Sequence, residues 1–210
     1  MTWTEVVKTT RYRWIMLFCL CTLLLIVFYM PIFYHEILSP KKGWTLNDPV
    51  LGYFAPTNWS FTVFIILYVA VAQTVLSCWL KPELALLGLT TYCLVNLVRI
   101  LTMYTVTLEP PVDMILLADP ISSIAYPDKG FAKDLFFSGH ISTMMVLVFI
   151  ERNRIALVLK VLGTIAMAVF LAWQHVHYAI DLIAAPVITF GIYLIVKRWL
   201  VVPGKAFPAN

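Results

Sequence analysis

Two stretches of the chain, residues 14–34 and 58–80, contain no charged side chain. Each is long enough to cross the hydrocarbon core of a bilayer, which takes about 20 apolar residues in an α-helix. Backbone in lipid must satisfy its own N–H and C=O groups, so both stretches are predicted to be helices. The rest of the composition agrees. Of 210 residues, 61% are hydrophobic and only 12% charged, against roughly 25% charged in soluble domains. Mean hydropathy is +0.88. A water-soluble chain of this size could not hide that much apolar surface.

Four further apolar runs follow: 84–108 with Arg99 inside it, 135–150 with His140, 155–176 with Lys160 and His175 towards its ends, and 178–200, which opens beside Asp181 and closes on Lys197 and Arg198. The expected fold is all-α: one polytopic membrane domain over residues 1–210, with six transmembrane helices in a bundle. No internal repeat or low-complexity segment is visible. Lys8, Arg11 and Arg13 precede the first run, but it extends to Tyr34 without a small-residue cleavage site. That is too long for a signal-peptide core, so it reads as an uncleaved first span.

Basic residues orient such a bundle. With the N-terminus inside, inner segments hold Lys8, Arg11, Arg13, Lys81, Arg152, Arg154, Lys197, Arg198 and Lys205, whereas outer loops hold Lys41, Lys42, Lys129 and Lys133. Nine against four places both termini in the cytoplasm. Glu36, Asp48, Glu109, Asp113, Asp119, Asp128, Asp134 and Asp181 then fall outside. The net charge of +4 is scattered, which gives no basic patch for a nucleic-acid partner. Cys19, Cys21, Cys78 and Cys93 lie in apolar runs without metal-ligand spacing. They read as buried small hydrophobes, with no disulfide expected.

The polar residues of the runs gather at their outer ends. Ionisable groups at membrane depth are costly and point to function. His177 and Asp181 are spaced i, i+4, which on a helix puts imidazole and carboxylate on one face. The carboxylate can hold one ring nitrogen protonated and leave the other free to attack; the plainer reading is a hydrogen bond at a helix start. Ser138-Gly139 sits at an expected helix N-terminus, where free N–H groups and the helix dipole favour an anion. His140 beside it could donate a proton; a simple Ser cap is the plainer reading. Arg99, about nine residues inside its run, can fork onto phosphate oxygens or snorkel to the interface. Lys133 is a solvated loop lysine or a second cation for the same anion. His175-Val176-His177 could suggest a metal pair, but i and i+2 point apart on a helix and no third ligand has a fitting spacing. No metal and no cofactor are expected.

Taken together, Lys133-Asp134-Leu135-Phe136-Phe137-Ser138-Gly139-His140 and His175-Val176-His177-Tyr178-Ala179-Ile180-Asp181 resemble the sphingomyelin synthase family, a branch of the type 2 phosphatidic acid phosphatase superfamily. The segment Arg99–Leu108, which includes Tyr104, looks like an upstream signature of the same branch. The likeness covers roughly residues 92–200; the first 90 residues match only as hydrophobic helices. It implies a metal-independent lipid phosphatase or phosphotransferase with a His-His-Asp triad. His177 corresponds to the nucleophile that takes up the phosphoryl group, Asp181 to its orienting partner, and His140 to the acid and later base. Ser138 and Gly139 would offer backbone donors to the phosphate and Arg99 a charge clamp, with Lys133 and Tyr104 as further substrate contacts. The wider superfamily carries an Arg six residues before the final His; here that position is Leu171, as in the sphingomyelin synthase branch. Ile141 stands where Thr often follows Ser-Gly-His.

The resulting expectation is an integral-membrane enzyme that acts on a phospholipid or lipid phosphate through a phosphohistidine. Water as acceptor makes it a phosphatase; an alcohol makes it a headgroup transferase. The outer loop 109–133, rich in Pro and Asp, is expected to roof the pocket. A membrane transporter or permease with intramembrane ionisable residues is the alternative, and such proteins usually show inverted repeats and broken midplane helices. Expected partners are the lipid substrate and the bilayer; a homo-oligomer is compatible with the sequence. The compact loops lean towards a bacterial inner membrane with the site on the periplasmic side.

Overall fold

The computed structural model describes residues 2–119 and 132–200. Asp128, Lys129 and Lys205, which entered the orientation count, lie outside the described residues, as does the part of the expected roof from 120 to 131.

Among the described residues every regular element is helical, and no strand forms. A short α1 (Trp3–Lys8) opens on a capping box between Thr2 and Glu5, which satisfies two otherwise orphaned N–H groups. α2 (Thr10–Ile32) carries Pro31 in its last turn and runs into a π-helical turn, Phe33–Leu38. Proline cannot donate to the i−4 carbonyl, so a loosened turn at this point has a local cause. α3 spans Ser60–Cys78. α4, Pro82–Thr105, begins with Pro, whose missing N–H costs nothing at a helix start. α5 is Gly139–Ile150. In α6, Arg154–Trp173, the Asn153 side chain caps the amides of Ile155 and Ala156 at 2.9 and 3.1 Å. α7 is Ala179–Leu200.

Five helices are long and apolar enough to cross a membrane: α2 with its π-turn, α3, α4, α6 and α7. Their outward faces bear exposed Phe28, Leu76, Val158 and Val187, as expected where lipid is the solvent. The architecture is compatible with a multi-pass integral membrane protein. The expected run 135–150 differs: it is helical only from Gly139, and its 12 residues reach about 18 Å, well short of a hydrocarbon core of about 30 Å. Leu135, Phe136 and Phe137 are apolar, but the chain there is held in a loop against α4.

α4 is the hub of the bundle and packs against α2, α3, α5 and α7; α5 also touches α3, α6 and α7. Leu87, Cys93, Met144, Met167 and Ala185 are completely buried between them. A Cβ at Gly88 would lie 2.6 Å from the terminal methyl of Ile150, so α4 and α5 pack closely at this glycine and a side chain there would have to displace that methyl. All four cysteines are free; Cys19, Cys78 and Cys93 are buried, but Cys21 faces outward, contrary to its expected burial. At the end of the bundle away from His140, Lys160 donates to Glu151 at 2.6 Å and to Thr74 at 2.5 Å, and both charged side chains are buried. Burial opposes ionisation of Glu151, but donation from Lys160 and from the amides of Asn153 and Arg152 outweighs it and brings its pKa down to about 2. The pair therefore stays ionised, as a desolvated charge needs its partner.

Candidate functional site

The site end of the bundle is built where α4 finishes and where α5 and α7 begin. Ser138 is the N-cap of α5, and its hydroxyl accepts from the Ile141 amide at 3.5 Å. The Ser138 amide donates to the main-chain carbonyl of Asp181 at 3.3 Å. That bond ties the start of α5 to the first turn of α7 and, with the packing of the two helices, holds His140 and Asp181 at the same end of the bundle.

Arg99 comes up from α4, six residues before its last residue, and is buried. Its Nε donates to the Phe137 carbonyl at 2.9 Å, and Nη2 donates to Asp134 Oδ1. Thr102, one turn further on, donates to the Phe136 carbonyl at 3.2 Å. The loop before α5 is thus laced to α4 by side chains on carbonyls. The guanidinium lies so close over Gly139 that a Cβ there would sit 2.5 Å from Nη1 and 2.6 Å from Cζ. A side chain at this position would push the cation from its present place at the helix start.

His140 and His177 face each other with ring centroids 6.5 Å apart and planes at 64°. His140 also meets Phe64 of α3 edge to face at 5.6 Å. Behind His177, Asp181 Oδ2 lies 3.5 Å from Nδ1, with both side chains buried. This separation is at the outer limit of a hydrogen bond, and strict geometry leaves His177 Nδ1, Asp181 Oδ1 and His140 Nδ1 without partners. Three adjacent buried atoms of this kind are unusual, and catalytic hydrogen bonds are often long in the free protein. The His–Asp pair is not the helical stack that its spacing implied. α7 starts at Ala179, so His177 lies outside the helix; Asp181 is its third residue and turns back, with Oδ2 accepting the Tyr178 amide at 3.2 Å. The same carboxylate oxygen closes the helix start and faces the imidazole.

No family model and no curated protein matches this chain.

Of the expected site residues, Arg99, Ser138, Gly139, His140, His177 and Asp181 come together; Lys133 and Tyr104 do not join them. The Lys133 ammonium is 3.0 Å from Glu109 and donates to the Lys41 carbonyl at 2.8 Å. Glu109 in turn accepts the Gly43 amide at 2.7 Å, and that donation, followed by Lys133, holds its carboxyl below the usual range. Lys133 is a strut between loops. Tyr104 is half exposed at the end of α4, with Lys41 over its ring at 4.0 Å. His175 turns away at φ 56°, its two ring nitrogens against the carbonyls of Val112 and Phe54 at 3.0 and 3.1 Å. Among the described residues, no three of His, Cys, Asp and Glu are grouped to hold a metal ion.

Two supporting residues carried no sequence signal. Asp48 accepts the Ala179 amide at 2.6 Å and so caps α7 from 131 positions away. Gln174, fully buried, accepts from Trp59 N at 2.8 Å and donates to Ser60 Oγ at 3.0 Å and the Ile115 carbonyl at 3.1 Å. It joins the end of α6 to the start of α3 and to the described part of the 109–119 loop.

Proposed function

We propose that the protein transfers a phosphoryl group from a phospholipid or lipid phosphate through a phosphohistidine on His177. The observation that carries this reading is the facing imidazole pair, 6.5 Å between centroids, with a buried carboxylate behind one ring. An in-line displacement brings the attacking nitrogen to about 3–3.5 Å from phosphorus, with the departing oxygen, still bonded to phosphorus, on the far side. Two imidazoles on opposite sides of one gap suit these two roles, one to attack and one to protonate the departing oxygen.

Asp181 holds the Nδ1 proton of His177, leaving Nε2 to attack. His140 gives a proton to the departing oxygen and later takes one from the acceptor. Arg99 and the free amides at the start of α5 spread the charge that develops on the equatorial oxygens. Such a site is metal-independent in this reading. A spanning, apolar bundle favours a lipid over a soluble phosphoester, and the basic-residue asymmetry favours a site on the non-cytoplasmic face.

The test is purified protein in lipid nanodiscs, given a lipid phosphate with water alone and then with added alcohol acceptors. Phosphate release in water indicates a phosphatase; product that forms only with an alcohol indicates a transferase. Acid-labile, base-stable phosphate on His177 supports either. Absence of any turnover or label across a panel of phospholipids and lipid phosphates would refute the reading.

A further inference from the structure

A cavity of about 420 Å³ lies between α3, α4 and α5. Val71, Thr74 and Val75 line it from α3, Leu89 and Tyr92 from α4, and Val146 from α5. It is not part of the histidine site, but it is in register with it. Phe64 precedes Val71 by seven residues, close to two helical turns, and Arg99 follows Tyr92 by the same interval. On α5, His140 comes three residues, just under a turn, before Thr143, which is also in the lining. The helix faces that bear the site continue into the faces that bear the cavity.

The cavity is unsuited to a polar ligand. Its threonine hydroxyls are already committed: Thr74 donates to the Ala70 carbonyl at 2.7 Å and accepts from Lys160 at 2.5 Å, and Thr143 donates to the Gly139 carbonyl at 2.8 Å. The other lining side chains are apolar, apart from the thiol of Cys78, the phenol of Tyr92 and the indoles of Trp3 and Trp79. Val75 and Leu89 are exposed on the lipid side, so the cavity opens sideways between α3 and α4. At its far end Trp3 donates to the Trp79 carbonyl at 2.6 Å, and both indoles line the cavity.

We infer that this cavity holds one hydrocarbon chain of the lipid whose phosphate reacts between His140 and His177. The inference rests on the phosphotransfer reading for the identity of the head. The length agrees: from His140 to Ile150, which closes the lining on α5, is ten residues, or about 15 Å. That is half the thickness of a hydrocarbon core of about 30 Å, and along α3 the lining runs on to Trp79, just past the far end of that helix, so the seated chain reaches past the midplane. The direction agrees as well. A lipid with its head at the start of α5 runs its tail along α5 towards the opposite leaflet, and the cavity lies on that side. Substrates are then single- or double-chain lipids with one chain seated in the protein and any second chain left in the bilayer.

The experiment uses the full chain in nanodiscs and phosphatidic acid with a diazirine in the middle of one acyl chain. After irradiation, labelled peptides should cluster in 71–79, 85–92 and 143–150, and unlabelled phosphatidic acid should compete. Val75→Phe, at the exposed lip, and Val146→Phe, deeper in, each reduce that labelling. Both also lower the ratio of kcat/KM for long-chain over short-chain lipid phosphates. Each buried methylene is worth about fourfold in binding, so excluding two lowers the ratio roughly 15-fold. Labelling spread over the outward faces of α2 and α7, or a chain-length profile unmoved by both substitutions, overturns the inference while leaving the chemistry standing. Saturable labelling of the cavity without turnover of any phospholipid or lipid phosphate upholds the chain site and defeats the phosphotransfer reading instead.

Discussion

Gly139→Ala is the smallest change that should disable the site, and its size follows from geometry. The new Cβ would lie 2.5 Å from Arg99 Nη1, whereas ordinary contact begins near 3.4 Å, so the guanidinium must retreat by about 0.9 Å. Arg99 cannot swing into solvent, because it is buried and pinned by Nε to the Phe137 carbonyl at 2.9 Å. A retreat of that size directed away from Phe137 would stretch this bond beyond hydrogen-bonding range, and that is the loss expected here. Losing a hydrogen bond of a buried charged group costs about 1.5–3 kcal/mol, equivalent to roughly 10- to 150-fold in rate if it is felt in the transition state. The better helix propensity of Ala offsets at most about 1 kcal/mol of any stability loss. The assay is initial-rate turnover of a lipid phosphate in nanodiscs, with the melting temperature measured alongside. Arg99→Ala should add little on top of Gly139→Ala, because both remove the same contact. Gly139→Ala turnover within twofold of the starting protein, or fully additive losses in the double variant, would refute the placement of Arg99 over the helix start.

His177→Ala should abolish both turnover and acid-labile phosphate labelling, with a melting temperature close to that of the unaltered chain. Asp181→Asn can still cap Tyr178 but cannot hold the imidazolium charge, so turnover should fall roughly 100-fold or more while the fold persists; near-normal rates would remove Asp181 from the mechanism. At the opposite end, Glu151→Gln strands a buried Lys160 and should cost about 3–5 kcal/mol of stability, read as a lower melting temperature that Glu151→Gln with Lys160→Met largely restores. The folded-state pKa of Glu151 is depressed to about 2 from an ordinary 4.5, so its contribution is full above about pH 4.5 and disappears as pH falls towards 2. The melting temperature of Glu151→Gln should accordingly decline less between pH 4.5 and pH 3 than that of the unaltered chain.

Helix existence was plain from the apolar runs, because lipid-facing helices need no amphipathic pattern and leave long uncharged stretches. Helix starts were less so. Leu135-Phe136-Phe137 reads as helix by composition, yet its carbonyls are taken by Arg99 and Thr102, a tertiary override of local preference. The Ser138 cap was visible, since Ser before Gly-His is a local signal. The His177–Asp181 contact was anticipated for a reason that did not apply: the capping turn of Asp181, not a helical face, brings the two together. Asp48 and Gln174 were silent because their partners are remote in sequence. Lys133 was weighed as a second cation or a loop lysine, and its ion pair with Glu109 matches the loop reading; Tyr104 entered through a family likeness, and it lies half exposed under Lys41 instead.

The pairing of Arg99 with Asp134 means that the cation meeting an incoming anion is already answered by an internal rival. If the proposed phosphotransfer is right, an arriving phosphate would displace, or share with, that carboxylate, so binding would be an exchange rather than a capture. The same carboxylate would return to the guanidinium when product departs, which would keep a buried arginine from holding on to what the reaction has made.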